Sequence, residues 1–566
     1  MTHGTGRPRA GPFSFMGPDP LRRRVCAALA AGGTLAATLG VRAQGPAAKP
    51  APLFDGMGRY RLAGASDVPQ AQRYADQGMV LAFGFNPAEA ARSFAAATSL
   101  DPDGAACWWG LAWALGPTIN ADIAPADAPR VEQAVARAVE HARHATPRFR
   151  DLIAALAVRH PRGRPIDEEG YADRMRTLAK RYPDDADVLF LAGEAILNLH
   201  PYDWWERDGR PKPWTPEIEA LFREAVARDP GHPGANHYIV HLYESSATPD
   251  KGVPSADRLT DLVPGSGHLL HMPAHVYMRV GRYAEASAAN RRSIEADVRY
   301  LAQVDAQGAY RVGYVAHNHH FLWASAAMQG RSAESLQAAA AAWPAACGPK
   351  PGDRSTAILQ HYYALPLYAR VRFGRWDELL SDTLPPDVAE PYPMAVWHYA
   401  RGTALVRKGR HADARAALER LDRIAADPAL KDARIKNINA AAVLARIAAL
   451  TLRADLEWSN RRPERATPLL AQAVALEDGL TYDEPHLWLA PTRHALGAAL
   501  LAEGRGRDAE RVYREDLAHY PENGWSLCGL ARALRLQGRN EAAKDVDTRF
   551  REAWRDADVQ IASSRF

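Results

Sequence analysis

The sequence predicts an all-α protein, a right-handed solenoid built from consecutive helical hairpins. Three observations support this prediction. From Asp67 onward the chain consists of alanine-rich amphipathic segments of roughly 12–16 residues, separated by glycine or proline. A Gly-Arg dipeptide recurs between paired segments, with its glycine at positions 281, 330, 374, 409, 504 and 538. We find no stretch with the alternating pattern of polar and apolar residues that is typical of a strand.

Length and charge limit the classes of function. The chain has 566 residues, 47% of them hydrophobic, which is enough for one long repeat array with a continuous core. Lys and Arg number 70 against 66 for Asp and Glu, giving a net charge of +4. Because this balance leaves no strong excess of either sign, we expect no nucleic-acid partner and no membrane-surface patch.

Residues 1–43 are predicted to be a signal peptide. Arg22, Arg23 and Arg24 precede an apolar run at 25–40, and the small or apolar residues at 41 and 43 fit cleavage after Ala43. The apolar run is too short and too rich in glycine and alanine for a stable membrane span. We therefore expect a periplasmic or secreted protein with no membrane span after cleavage. Both Sec and twin-arginine export stay open, and the signal favours Sec.

The rest of the chain divides into three predicted segments. Residues 44–64 form a linker and N-terminal lead-in, residues 65–556 form the repeat array with a histidine-rich central part at 232–361, and residues 557–566 form a C-terminal tail. Cys107, Cys347 and Cys528 are widely separated, so we expect unpaired thiols rather than a disulfide framework.

The clearest hairpin begins at Leu496. Gly497, Gly504 and Tyr513 follow at the offsets of a small residue, a turn glycine and an aromatic residue, and Pro521 closes the unit. This order resembles the tetratricopeptide repeat. The small residue allows two helices to approach closely, and the aromatic ring fills the space between them. The resemblance covers roughly 65–556, and it implies one superhelix because each repeat needs its neighbours to bury its faces.

Three connections cannot be continuous helices, because proline and glycine interrupt them. They are residues 201–214, 343–353 and 482–488. Long connections inside a compact array often carry function, for example by covering one end of a groove.

Several blocks outside the repeat signature belong to a more specific pattern. These blocks are residues 83–86, 89–90, 92–94, 107–110, 113–117, 120, 268–275, 317–321 and 521–525. With them, the chain resembles a group of exported bacterial tetratricopeptide repeat (TPR) proteins with histidine-rich first helices. Proteins of this group are described by their repeats alone, so the resemblance implies the fold and assigns no catalytic residue.

Histidines are concentrated on the predicted first helices of four consecutive repeats. They are His237 and His241 with Glu244, then His268, His271 and His275, then His317 and His320, then His361. The members of each of the first two sets fall within about 60° of one another around a helix. In tetratricopeptide arrays the first helix of each repeat lines the concave groove, so the resemblance implies that these side chains face it.

Imidazoles in this arrangement can hold a metal ion. Adjacent first helices pack about 8–10 Å apart, so rings on neighbouring helices can point at one ion. Imidazoles with a carboxylate suit Zn, Cu or Fe better than Mg or Ca. We predict that a divalent transition metal is bound by some of His237, His241, His268, His271, His275, His317 and His320. The groove is expected to be lined further by Tyr238, Tyr277, Asn318 and His361.

The function that such a site would serve stays open at this point. An open coordination position would let the ion activate water or a small substrate, with Glu244 as a possible base, and neither hydrolysis nor oxidation is favoured. An acid–base role without metal is a further possibility. The histidines can also be hydrogen-bonding residues of a non-catalytic scaffold that captures a peptide or partner protein in the groove. In that case Glu244 is expected to lie on a solvated face.

Overall fold

The computed structural model describes residues 51–206, 209–304, 309–348, 352–383 and 387–566. The predicted signal peptide lies outside these residues. Apart from one short pair of strands, the regular elements of the described residues are helices, which pack in sequence as antiparallel hairpins.

Eight helices form the N-terminal part of the array. They are α1 Pro69–Phe83, α2 Pro87–Leu100, α3 Ala105–Ala114, α4 Ala128–His141, α5 Pro147–Arg159, α6 Glu168–Arg181, α7 Ala186–Leu199 and α8 Thr215–Arg228. Side chains of Thr146, Asp167 and Asp185 accept backbone N–H bonds at the starts of α5, α6 and α7, which satisfies donors that a helix cannot satisfy itself. Helices approach closely where a glycine faces a ring. A Cβ atom at Gly110 would lie 2.1 Å from the ring of Phe94.

The central part carries the histidines. Its helices are α9 Pro233–Glu244, α10 Val253–Leu262, α11 Gly267–His271, α12 Pro273–Arg279, α13 Tyr283–Gln303, α14 Ala316–Met328, α15 Ser332–Cys347 and α16 Ala357–Arg372, with a π-helical turn at Arg311–Val315 before α14. The break between α11 and α12 follows from Pro273, which has no N–H to donate. Met272 keeps helical dihedral angles, so the histidines on both sides of the break stay on one side of the chain.

The C-terminal part contains the remaining elements. They are α17 Trp376–Ser381, α18 Pro391–Arg407, α19 His411–Ala425, α20 Ala429–Asp432, β1 Arg434–Ile435, β2 Asn439–Ala440, α21 Ala441–Ser459, α22 Pro463–Asp478, α23 Thr492–Ala502, α24 Gly506–His519, α25 Gly524–Leu536 and α26 Asn540–Ala553. Strands β1 and β2 pair antiparallel, with Arg434 opposite Ala440. Two residues per strand are too few to produce an alternating pattern, which is why this hairpin could not be predicted from the sequence.

The turn glycines explain how each hairpin reverses. At the six predicted Gly-Arg turns the glycine φ lies between 65° and 80°. Glycine adopts this left-handed region without steric penalty, and helices commonly end at a residue in this conformation before the chain reverses direction. In the best-matched unit a Cβ at Gly497 would lie 2.4 Å from the ring of Tyr513, as the predicted close approach requires. The all-α hairpin array is therefore confirmed.

The C-terminal repeats fold back onto the central ones. Trp525 Nε1 donates to the Ala327 carbonyl at 2.8 Å. The Asp558 carboxylate accepts the backbone N–H groups of Ser332 and Ala333 at 2.6 and 2.8 Å, at the N-terminus of α15 where negative charge is stabilised. Ser564 in the predicted tail is fully buried. The segment predicted as a tail thus lies against the array.

Two further expectations concern cysteines and membranes. Cys107, Cys347 and Cys528 are free thiols. Within the described ranges, every helix is either too short or too polar to cross a bilayer.

Candidate metal centre

The first helices of three consecutive repeats bring the predicted histidines together. Helix α9 carries His237 and His241, the α11–α12 stretch carries the next three, and α14 carries His317 and His320. None of the seven predicted ligands is more than 8% exposed. Their burial is due in part to the connection at 482–488, which lies against the centre through Tyr482 and Glu484.

One group of three consists of His237, His241 and His268. Each offers a ring nitrogen, and the three nitrogens lie within 4.8 Å of one another. His237 Nδ1 lies 2.6 Å from the carbonyl oxygen of Phe83, which can only accept, so the ring proton is on Nδ1. The unprotonated Nε2 of His237 then faces His268 Nε2 at 3.2 Å. His241 Nδ1 lies 2.9 Å from Glu244 Oε1, and its buried Nε2 has no hydrogen-bond partner within the part of the chain that the structure describes.

The second group consists of His271, His275 and His317, again within 4.8 Å. Asn290 Nδ2 donates to the Ala286 carbonyl at 2.7 Å, which fixes the amide so that its oxygen faces His271. His271 Nδ1 donates to that oxygen at 2.7 Å, leaving Nε2 unprotonated. This Nε2 lies 2.9 Å from His275 Nε2.

Two buried carboxylates complete the centre. Glu244 accepts from His241 through one oxygen and pairs with His275 Nδ1 through the other, so it connects the two groups. Glu484 Oε2 lies 3.1 Å from the same His275 nitrogen. Glu244, His275 and Glu484 offer a third set of atoms within 4.8 Å. Glu244 is only 4% exposed, so the alternative expectation that it lies on a solvated face is wrong. It is buried because the connection at 482–488 covers it.

The connection between α22 and α23 brings Glu484 to the centre. Tyr482 donates its hydroxyl to the Glu244 carbonyl at 3.0 Å and also contacts the Glu484 carboxylate. Lys436, from the β1–β2 loop, donates to Asp483 Oδ1 and the Glu484 carbonyl at 2.8 Å each. These bonds tie the connection both to α9 and to the β-hairpin.

Burial and charge set the protonation of the centre. Burial lowers the pKa of His237, His268, His271 and His317 well below its usual range, so these rings are neutral, as metal ligation requires. Burial also disfavours the charged form of His275, but Glu244 and Glu484 outweigh it and raise the pKa of His275 to about 9. Burial raises the pKa of Glu484 to about 7, against the effect of His275. Burial acts in the same direction on Glu244, but His275 and His241 outweigh it and lower its pKa.

The spacing of the facing nitrogens suits an ion. Two nitrogens that each bond a metal at about 2.0–2.1 Å and lie 2.9 or 3.2 Å apart subtend about 90° or 103° at the metal. Two unprotonated nitrogens at these distances repel each other unless a proton or a cation lies between them. The second ring nitrogens of His237, His241 and His271 are held by a backbone, a carboxylate and an amide acceptor respectively, the pattern that orients histidine ligands in metal proteins. The Nδ1 atoms of His268 and His317 have no such partner among the described residues.

Strained residues surround the histidines. Phe85 has φ 52° and packs against the rings of His237, His241 and His268 at centroid distances of 4.7, 5.5 and 5.3 Å. A bulky residue in this region costs on the order of 1–3 kcal/mol and persists only where its surroundings demand it. The ring of Tyr314, from the π-helical turn, has its centroid 4.7 Å from that of the His268 ring. Strain and π-turns of this kind are frequent at functional sites.

The remaining predicted residues lie outside the two groups. Tyr238 is buried among aromatic rings, and its ring centroid lies 5.4 Å from that of His237. Tyr277 donates to Asp257 on α10, and Asn318 donates to Asp297 on α13, so both side chains bond to second helices. His320 lies beside His361, with ring centroids 5.2 Å apart.

The sequence did not predict Glu484, Asn290, Phe85 or Lys436 as site residues. For Glu484 a signal existed, since the break at 482–488 places two acidic residues in a connection that cannot be helical. Phe85 lies within one of the blocks that carry the family resemblance. Asn290 lies on a second helix and Lys436 in a three-residue loop, and neither stands in a pattern that points toward histidines far away in the chain.

The comparisons with known proteins add little to this picture. The chain matches no protein-family model and no curated protein sequence. The solved structures that it is similar to include the human IFIT1 dimer with m7Gppp-AAAA, at 10% identity and TM-score 0.30 over 86% of this chain and 91% of that one. They also include the P58(IPK) TPR domain, at 13% identity and TM-score 0.22 over 83% of this chain and 99% of that one, and Naa15/Naa10 bound to HypK-THB, at 12% identity and TM-score 0.22 over 85% and 63%. The tetratricopeptide-like character of the chain rests on its own hairpins and turn glycines.

Proposed function

We propose that this protein binds divalent transition metal at its buried histidine centre. One observation carries the proposal: six imidazoles offer ring nitrogens in two groups of three, each group within 4.8 Å. Burial keeps most of these rings neutral, and Glu244 and Glu484 supply negative charge to balance a cation. The donor set of imidazole with carboxylate favours Zn, Cu or Fe.

The chain's own residues limit what the centre does chemically. A bound ion acts as a Lewis acid and can activate water. Both oxygens of Glu244 already contact imidazole Nδ1 atoms, so Glu244 orients ligands rather than serving as a free base. Tyr314 and Phe85 close one side of the first group with aromatic surface.

Elemental analysis of protein purified without added metal tests the proposal. We expect at least one transition-metal ion per chain, lost in the double variant His271→Ala/His275→Ala. His319→Ala is the matched control, since His319 is half-buried on α14 between two candidate ligands and belongs to neither group. Absence of stoichiometric metal in folded wild-type protein, with no effect of a chelator on its unfolding temperature, would refute metal binding and favour the peptide-binding scaffold.

We further propose export to the periplasm or beyond, supported by the basic residues and apolar run that precede Ala43. N-terminal sequencing of the mature protein tests this, and a mature chain that still begins at Met1 would contradict it.

A further inference from the structure

Residues 558–566 leave the hairpin pattern and run back across the array. Within this segment, all of which the structure describes, there is neither helix nor strand, and Ser564 is the one fully buried residue. The segment begins with Asp558 at the start of α15, and the Phe566 ring packs against Trp525 of α25 with centroids 5.8 Å apart. Because side chains hold it at separate points, the segment can open without unfolding the hairpins beneath it, as a bound peptide can leave.

Three neighbouring side chains of the segment make three different kinds of contact. Ser564 Oγ donates to the His494 carbonyl on α23 at 2.7 Å, and the Tyr513 hydroxyl on α24 donates to the same oxygen at 2.7 Å. Arg565 Nη2 donates to Asp455 Oδ2 on α21 at 2.7 Å. The aromatic ring of the next residue completes the order, which is hydroxyl, guanidinium and aromatic.

The residues that receive the segment are held in place by contacts of their own. The Tyr513 ring lies between Gly497 and Gly529, where Cβ atoms would be 2.4 and 2.1 Å from it. Trp525 donates to a carbonyl of α14 at 2.8 Å, and the Arg372 guanidinium lies 3.8 Å from its ring centroid. None of these contacts involves the segment. The surface therefore keeps its shape when the segment leaves, and a preformed surface binds a replacement at a lower entropic cost.

Asp455 gives this surface a preference for a basic ligand. Its side chain is 4% exposed, so its charge is poorly solvated. Arg565 lies 2.7 Å from Asp455 Oδ2, whereas Arg407 of α18 lies 3.7 Å from it. Without Arg565, the buried carboxylate would depend on the longer of these two ion pairs. A guanidinium from another chain would restore a charge-assisted hydrogen bond at this position.

We propose that residues 558–566 are the built-in ligand of a peptide-binding groove formed by α21, α23, α24 and α25. In their place the groove accepts an extended segment of another protein that presents a hydroxyl residue, an arginine and an aromatic residue in succession. The chain's own segment regulates this binding, because the apparent affinity for the partner falls with the fraction of grooves that are free. The groove shares no residue with the candidate metal ligands, so this inference does not depend on the proposed function.

Fluorescence anisotropy of a labelled peptide with the sequence of residues 558–566 tests the groove on the full chain. Arg565→Glu/Phe566→Ala loses the ion pair and the ring contact, so it frees the groove and should bind the peptide 1:1 about tenfold or more tightly than wild type does. Arg555→Glu is the matched control, since it makes the same change of charge at an exposed residue that pairs with its acidic neighbours, and it should bind as wild type does. Equal binding by wild type and the double variant, or no saturable binding by the folded double variant, would overturn the proposal.

Changes in the peptide and in the groove then locate the contacts within the double variant. A peptide with glutamate in place of its arginine should bind about tenfold or more weakly, whereas glutamate in place of its glutamine should leave binding unchanged, because Gln560 is exposed. Tyr513→Phe keeps the packed ring and removes the hydroxyl that reaches Ser564, so it should weaken binding about threefold. Equal binding of the two glutamate peptides, or unchanged binding in folded Tyr513→Phe, would overturn the assigned contacts.

Discussion

Asn290 provides the sharpest test of the metal centre, because it touches a ligand ring but would not touch the ion. It is fully buried, and its oxygen accepts the Nδ1 proton of His271 at 2.7 Å, which fixes both ring orientation and tautomer. In Asn290→Leu the ring can rotate or move its proton to Nε2, where it blocks ligation. Loss of such an outer partner typically weakens metal binding by 10- to 100-fold, or about 1.4–2.7 kcal/mol.

The assay is competition for Zn²⁺ against a chromophoric chelator, with folding checked by circular dichroism. Asn236→Leu is the matched control: Asn236 is equally buried and stands beside His237, but its side chain donates only to the carbonyls of Pro230 and His232, at 3.0 Å each. We expect its metal affinity to stay within about threefold of wild type. Wild-type affinity in folded Asn290→Leu, or an equal loss in both variants, would refute the assigned role of His271.

Three further predictions concern stability and the cover of the centre. Burial raises the pKa of Asp297 to about 7, so as pH rises from about 4 to 7 the stability of the wild type in urea unfolding should fall by up to about 4 kcal/mol more than that of Asp297→Asn; parallel pH profiles would contradict this. Gly529→Ala places a Cβ 2.1 Å from the aromatic ring that packs against it and should lower the free energy of unfolding by about 1–3 kcal/mol, whereas Gly313→Ala, with open space around it, should change it by less than about 0.5 kcal/mol. Tyr482→Phe loses the bond to the α9 carbonyl and should speed proteolytic cleavage near residue 482, while an unchanged cleavage rate would show that other contacts hold the connection.

Local patterns predicted the fold well because the helical hairpins of this array are specified locally. The glycine at each turn is required by a left-handed φ, and Gly497 is required by the ring of Tyr513, so both appear at fixed offsets in the sequence. Helical spacing likewise placed His268, His271 and His275 on one side of the chain. Helical spacing could not show which histidines form a group. His268 groups with the histidines of the preceding first helix, α9, whereas His271 and His275 group with His317 of the following one, α14.

The site needed information that no local pattern contains. Glu484 reaches Glu244 and His275 only because the array curves until its C-terminal repeats meet the central ones. That curvature is the sum of small rotations between successive hairpins, and a sequence pattern does not give their size. The same cause explains why Glu244 is buried, whereas the scaffold alternative expected it on a solvated face.

The contact of Asp558 with the start of α15 has a consequence for how the molecule unfolds. In an open repeat array each hairpin interacts with its neighbours alone, so the ends can fray while the middle stays intact. Here Asp558 is bonded to α15 and Tyr482 to α9, each more than two hundred positions earlier, and Trp525 is bonded to α14, 198 positions earlier. Because these contacts join the C-terminal repeats to the central ones, the two parts are expected to unfold together. A substitution that destabilises the C-terminal repeats should therefore also destabilise the histidine centre.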